Sequence, residues 1–249
     1  MLNFIDIASW QSDIDLSAVP IDAVIIKATE AEDYVNPYCD PWVNQAKELS
    51  LPWGFYHFGR NGDPVAEADY FISQCEGYFG EGIPVLDWED DQSVDWVNSF
   101  INHVHDVKGV WCVIYANPCR FNQGGVERNC GRWIASYPSH LVNPDFNCDE
   151  GDMPDTDGLV CAWQFASDGD LDGYNGNLDL NRFYGDINTW NAYAGAQTTQ
   201  EAPQEQQEKA TPAPEPEQVQ DQEQQESPEE CTETHHVVHL GDTIELAKE

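Results

Sequence analysis

Four acidic residues lie at or just beyond the ends of short apolar runs: Asp6 after Asn3-Phe4-Ile5, Asp87 and Glu89 after Pro84-Val85-Leu86, and Asp179 after Leu178. Asp87 and Glu89 are two positions apart, so in an extended chain both side chains point to the same face. Carboxylates gathered around one pocket repel one another when ionised. At least one then keeps its proton near neutrality, the property a general acid requires. Glycosidic bond cleavage needs such an acid at the leaving oxygen and a second negative group that stabilises an oxocarbenium-like state. Trp10, Tyr34, Tyr56, Trp88, Tyr115, Trp133, Tyr137 and Trp163 offer flat faces for sugar rings, although aromatic residues more often fill a core. An Asp-x-Glu pair is a weak signal by itself in so acidic a chain. Lys27 with Glu30 reads equally well as a salt-bridged strand end, and His57 as a hydrogen-bonded residue of the framework.

To converge, these residues need a framework of strands whose ends meet. Runs rich in β-branched and aromatic residues predict strands at Asn3 to Ile7, Ala23 to Ala28, Pro52 to Phe58, Pro84 to Trp88, Val110 to Tyr115, Arg132 to Ser136, Val160 to Phe165 and Leu178 to Asn181. Helices are expected at Asn36 to Leu49, Asp63 to Tyr78 and Val94 to Val107. The segments after Asn117 and Asn143, rich in Gly, Asn, Asp and Pro, read as loops. Eight strands with a reduced helix complement fit an α/β fold, an irregular TIM-like β/α barrel, better than a doubly wound sheet. Closure makes the first and eighth strands neighbours, so Asp6 and Asp179 should converge, and barrel function sits at the carboxyl ends of the strands.

Composition divides the chain. From Gly195 onward Gln, Glu, Pro and Thr dominate, which predicts a catalytic barrel over 1–194, a disordered linker over 195–234 and an apolar terminal segment over 235–249. The net charge of −36, from 46 acidic and 10 basic residues, disfavours nucleic acid and anionic lipid as partners. No run is apolar enough for a membrane span, and no secretory signal pattern opens the sequence. The eight cysteines are irregularly spaced, without paired Cys-x-x-Cys blocks, and are expected as buried thiols with one or two disulfides rather than metal ligands.

The order of the motifs carries more than any one of them. Asp6-Ile7-Ala8-Ser9-Trp10-Gln11, Ile25-Ile26-Lys27-Ala28-Thr29-Glu30, Gly54-Phe55-Tyr56-His57-Phe58 and Ala66-Glu67-Ala68-Asp69-Tyr70-Phe71 come first. Pro84-Val85-Leu86-Asp87-Trp88-Glu89, Trp133-Ile134-Ala135-Ser136-Tyr137, Trp163-Gln164-Phe165 and Leu178-Asp179-Leu180-Asn181-Arg182-Phe183-Tyr184-Gly185 follow. Across roughly residues 3 to 187 the sequence resembles glycoside hydrolase family 25, the Ch-type lysozymes. That resemblance implies an N-acetylmuramidase cleaving the bond from N-acetylmuramic acid to N-acetylglucosamine. It implies Glu89 as proton donor, Asp87 as the carboxylate that stabilises the transition state or positions the substrate's acetamido group, and Asp6 and Asp179 as flanking carboxylates. Substrate contacts are expected at Tyr56, Trp10, Lys27, Glu30, Tyr115, Trp163 and Gln164, with no cofactor and no metal. Three positions depart from the family pattern: Ala31 stands where Gly is common, Ala8 where Ser is common, and Asn36 where Asp is frequent. The terminal segment, with Val238 and Gly241-Asp242-Thr243, resembles the opening of a LysM wall-binding module. The expected protein is a monomeric bacteriophage endolysin, made in the host cytoplasm and acting on peptidoglycan after release. A bacterial autolysin and a wall-binding protein with an inactive barrel are the rivals.

Overall fold

A strand covered on both faces has no solvated side to leave polar, which is why residues 23–26, 53–56 and 83–86 are unbroken apolar runs. The computed structural model describes residues 1–195, so the expected LysM-like segment and nearly all of the expected linker lie outside the described residues. The strands are β1 (Leu2–Ile7), β2 (Ala23–Glu30), β3 (Tyr34–Val35), β4 (Trp53–Phe58), β5 (Ile83–Asp87), β6 (Val113–Ala116), β7 (Arg132–Ala135), β8 (Val160–Gly169) and β9 (Leu178–Phe183). The helices are α1 (Cys39–Glu48), α2 (Pro64–Gln74), α3 (Val94–Lys108), α4 (Pro118–Phe121) and α5 (Ile187–Tyr193). All eight expected strands are present, and β3 is a two-residue addition paired antiparallel to the end of β2.

The sheet runs β1-β9-β8-β7-β6-β5-β4-β2 and closes through a parallel β1–β2 pairing, giving an eight-stranded barrel. Strands β1, β2 and β4 to β8 are mutually parallel, whereas β9 lies antiparallel between β8 and β1. Reversal of β9 places its first residues at the rim where the other strands end. Asp179, second in its strand, thereby sits directly across from Asp6, fifth in its own. In an all-parallel barrel the same residue would lie at the opposite end.

Helices clothe only part of the barrel. Asp63 caps α2 through its carboxylate to the Val65 and Ala66 amides, with Pro64 in the first turn, and the helix ends at Gln74, short of Tyr78. Helix α3 is capped by Ser93 and stopped by Gly109 at a φ of 71°. The long segment from Ser136 to Leu159 contains no helix or strand, which includes the loop expected after Asn143, whereas the loop expected after Asn117 opens with the one-turn helix α4, because the Asn117 side chain caps it and Pro118 starts it. Arg182 ties the long segment to the barrel through Glu150 at 3.1 Å and the Phe146 carbonyl at 2.7 Å. Among the described residues no helix is long and apolar enough to cross a membrane.

Side chains separate into two layers. Ile5, Ile7, Val24, Ile26, Phe55, Leu86 and Trp163 face outward and pack beneath the helices and loops. Phe4, Ile25, Val85, Val113, Trp133 and Phe183 face inward and fill the barrel. Helix α5, which the sequence did not announce, closes the bottom. Its Trp190 stacks edge-on against Phe4 and Phe183 with centroids at 5.6 and 5.0 Å, and its indole N–H donates to the Trp53 carbonyl. Seven residues with one buried aromatic carry too little periodicity to read as a helix from sequence.

Candidate active site

Above the apolar filling, the inward positions of the barrel turn polar. Asp6 on β1, Lys27 on β2, Tyr56 on β4, Asp87 at the end of β5, Tyr115 on β6, Gln164 on β8 and Asp179 on β9 share the upper end of the barrel. Glu89 lies two residues beyond β5 and is less buried than Asp87, while Trp88 between them turns outward and is buried against Phe121. The alternation expected for Asp87 and Glu89 thus persists past the last hydrogen-bonded strand residue.

Tyr56 measures the convergence. Burial is the largest cause that keeps its phenol protonated, followed by the charges of Asp87, Asp6, Asp179 and Glu89, so all four carboxylates act on one hydroxyl. Burial and then the charge of Glu89 push the Asp87 carboxyl well above the ordinary carboxylate range, while Lys27 pulls the other way. Asp179 is likewise pushed well up, by burial first and then by Asp6 and Glu89, with a hydrogen bond to Asp6 acting in the same direction. Asp87 Oδ1 is buried without a hydrogen-bond partner among the described residues. Such an acceptor is costly to leave unmet, so a donor arriving with a ligand is favoured there.

Asp6 is tightly held. Its Oδ1 accepts from Gln164 Nε2 at 2.9 Å and from Asn181 Nδ2 at 2.8 Å. The Gln164 carbonyl oxygen in turn accepts from the hydroxyls of Tyr115 (2.7 Å) and Tyr137 (2.5 Å). The Asn181 oxygen accepts from the Trp133 indole at 2.9 Å. At the mouth Lys27 pairs with Glu30 at 2.5 Å, and Arg60 Nε donates to the other Glu30 oxygen at 2.7 Å. Burial pushes Glu30 up, but these two cations more than offset it and hold the carboxylate charged. Arg120 donates to the Glu89 carbonyl at 2.8 Å and stacks over Trp88, fixing the backbone that carries Glu89.

Of the expected substrate contacts, Tyr56, Lys27, Tyr115 and Gln164 line the polar end of the barrel, and Glu30 stands at its mouth. Trp10 is 59% exposed on the 3₁₀ turn that leaves β1. Trp163 does not belong to the set: it is 1% exposed, packs outward against Phe165 and donates to the Ser136 carbonyl at 2.7 Å. Strand alternation supplies the reason, since Gln164 faces in and its neighbour must face out. Tyr137, one of the aromatic residues offered as a flat face, joins the site through its hydroxyl, and Asn181 and Arg120 join it unannounced. Asn181 is findable from sequence, two positions after Asp179 on the same face; Arg120 is not, because its contact with Glu89 crosses from helix α4, 31 positions away. His57 points outward, between Thr29 at 2.8 Å and the buried Glu67 at 3.1 Å, and burial lowers its proton affinity. It is framework, as expected.

Two departures from the family pattern have local accounts. Asn36 is buried, donating to the Lys27 carbonyl at 2.8 Å and accepting from the Tyr38 amide at 3.1 Å, and an aspartate lacks that donor. Ala31 adopts a φ of 48°, the left-handed region in which Gly is free of strain. Six cysteines, Cys39, Cys75, Cys112, Cys130, Cys148 and Cys161, are free thiols; all but Cys148 are buried.

Residues 5–174 match the family model described as Glycosyl hydrolases family 25. An autolytic lysozyme of Clostridium acetobutylicum is 30% identical over 189 residues, covering 72% of this chain and 55% of the relative, so the chain spans about half that protein's length. An N,O-diacetylmuramidase of Chalaropsis sp is 28% identical over 201 residues, covering 70% of this chain and 94% of the relative. A solved bacterial lysozyme from Streptomyces coelicolor has the same fold, with a TM-score of 0.65 at 24% identity over 78% of this chain and 97% of that one.

Proposed function

The chain belongs to glycosyl hydrolase family 25, and from that premise we propose that it is a muramidase that cleaves peptidoglycan between N-acetylmuramic acid and N-acetylglucosamine. The observation that carries the reading is the Asp87-x-Glu89 pair at the polar end of the barrel, one carboxyl buried with an unmet oxygen and the other nearer solvent. Glu89 is the proton donor to the leaving glycosidic oxygen, and its partial exposure lets solvent restore the proton between turnovers. Asp87 receives the N–H of the substrate's acetamido group at Oδ1 and aligns that group with the reacting carbon.

The proton affinity of Asp87 responds to what binds beside it. In the free protein burial and mutual repulsion raise the proton affinity of Asp87. An N–H donor at Oδ1 favours the charged form of Asp87, the form that accepts from the acetamido group and aligns it.

Purified peptidoglycan digested with the full chain, reduced with borohydride and resolved by mass spectrometry should show reduced muramic acid ends. Reduced glucosamine ends would keep the hydrolase and overturn the bond assigned; no release from any wall preparation would overturn the hydrolase. Glu89→Gln should lower the rate by roughly 10²–10⁴-fold, the usual contribution of a general acid, while wall pulldown is retained. Unchanged lysis would remove Glu89 from the mechanism.

A further inference from the structure

We propose that Asn181 is a positioning residue that makes Asp6 the charged member of the Asp6/Asp179 pair and keeps the single proton of that pair on Asp179. The hydrogen-bond chain starts at Trp133, whose indole N–H can only donate. It donates to Asn181 Oδ1 at 2.9 Å, so the amide cannot flip and its NH₂ must face Asp6, 2.8 Å away. Gln164 is oriented in the same manner. Its oxygen is taken by Tyr115 and Tyr137, which leaves its NH₂ for Asp6 at 2.9 Å. Two N–H donors converge on Asp6 Oδ1, a setting that favours a carboxylate over a carboxylic acid.

Asp179 has the opposite setting. It lies across from Asp6 in the β1–β9 register and hydrogen-bonds to it, and two facing carboxyls form that bond only if one holds a proton. With donors already directed at Asp6, the proton belongs on Asp179, which donates it to Asp6. The charged or titratable groups facing the pair from the other strands are Lys27, Tyr56, Asp87 with Glu89, and Tyr115, with Tyr137 beyond β7. Three of these are phenols held protonated by burial and by the carboxylates around them, so they add no charge. Under the muramidase reading, the consequence is one fixed negative charge at Asp6 facing the developing oxocarbenium, rather than two charges that repel each other.

Asn181→Asp separates this role from simple support, because the new carboxylate still accepts from Trp133 but presents an acceptor to Asp6. The free protein is titrated by ¹³C NMR of the aspartate carboxyl carbons, which needs no substrate. In the parent at pH 6, Asp6 should read as carboxylate and Asp179 as acid. In N181D the Asp6 carboxyl should take up a proton in the same range. On peptidoglycan, kcat should fall ~100-fold with KM within about threefold, and the pH–rate profile should move toward higher pH. Trp133→Phe, which frees the amide to flip, should move the carboxyl titration in the same direction by a smaller amount. A folded N181D with parental carboxyl titration overturns the proposal, as does a parent in which Asp6 carries the proton. A parent protein inert on every wall substrate would defeat the muramidase reading while leaving the proton assignment to the NMR titration.

Discussion

Asp179 illustrates how a buried carboxyl can be held at the expense of the fold. An unfolded aspartate titrates near 3.8, and the folded one well above that, from burial first and then from Asp6 and Glu89. Between those two values the native state holds more protons than the unfolded state, so stability falls as the pH rises through that window. Below 3.8 both states are protonated and the effect vanishes. Asp179→Asn keeps a donor for Asp6 and has no charge to lose. Its melting temperature should exceed the parent's at pH 7 by ~2–4 °C for each kcal/mol recovered, and the gain should disappear at pH 3. An equal shift at both pH values would mean that packing, and not ionisation, is responsible.

At the scale of elements, the end of β2 carries an avoidable cost. Glu30 must lie at the mouth beside Lys27 and Arg60, and the chain then reverses through Ala31, whose amide donates to the Phe58 carbonyl at 3.2 Å while its φ is 48°. Placing a β-carbon in the left-handed region costs roughly 1–2 kcal/mol. Glycine removes that strain but adds about 0.4–1 kcal/mol of chain entropy to the unfolded state. Ala31→Gly should therefore stabilise the fold by ~0.5 kcal/mol in urea melts, with hydrolysis unchanged because the ion cluster at the mouth is untouched. A clear loss of stability would show that the alanine methyl group makes a contact outweighing its backbone strain.

The whole molecule depends on a closed barrel whose lower end is sealed. Reversal of β9 does two things: it brings Asp179 up to the rim, and it delivers the chain at the bottom so that α5 can insert Trp190 beneath Phe4 and Phe183. Trp190 is 1% exposed and packs into the inner layer against Phe4 and Phe183. Trp190→Ala should cost about 3–5 kcal/mol in equilibrium unfolding, as other buried aromatic truncations do. At temperatures where the variant remains folded, KM should match the parent's. A loss under about 1 kcal/mol would mean that α5 is peripheral to the barrel.

Much of this is local and therefore present in the sequence. Doubly buried strands need apolar runs, so all eight barrel strands are legible, and the period of two settles that Asp87 and Glu89 share a face. The same period, applied to the neighbours Trp163 and Gln164, puts the two on opposite faces and so turns Trp163 outward once Gln164 faces in. Other features require tertiary structure because their causes are remote in the chain. Hydrophobic pattern does not encode strand direction, so the placement of Asp179 at the rim rests on the antiparallel pairing of β9. Helix α5 exists because an open barrel end needs covering, a demand that its own seven residues do not announce. The distribution of protons among the carboxylates is the least local property of all, since it depends on burial and on which amide faces Asp6, both set by contacts between β1 and residues more than 150 positions away.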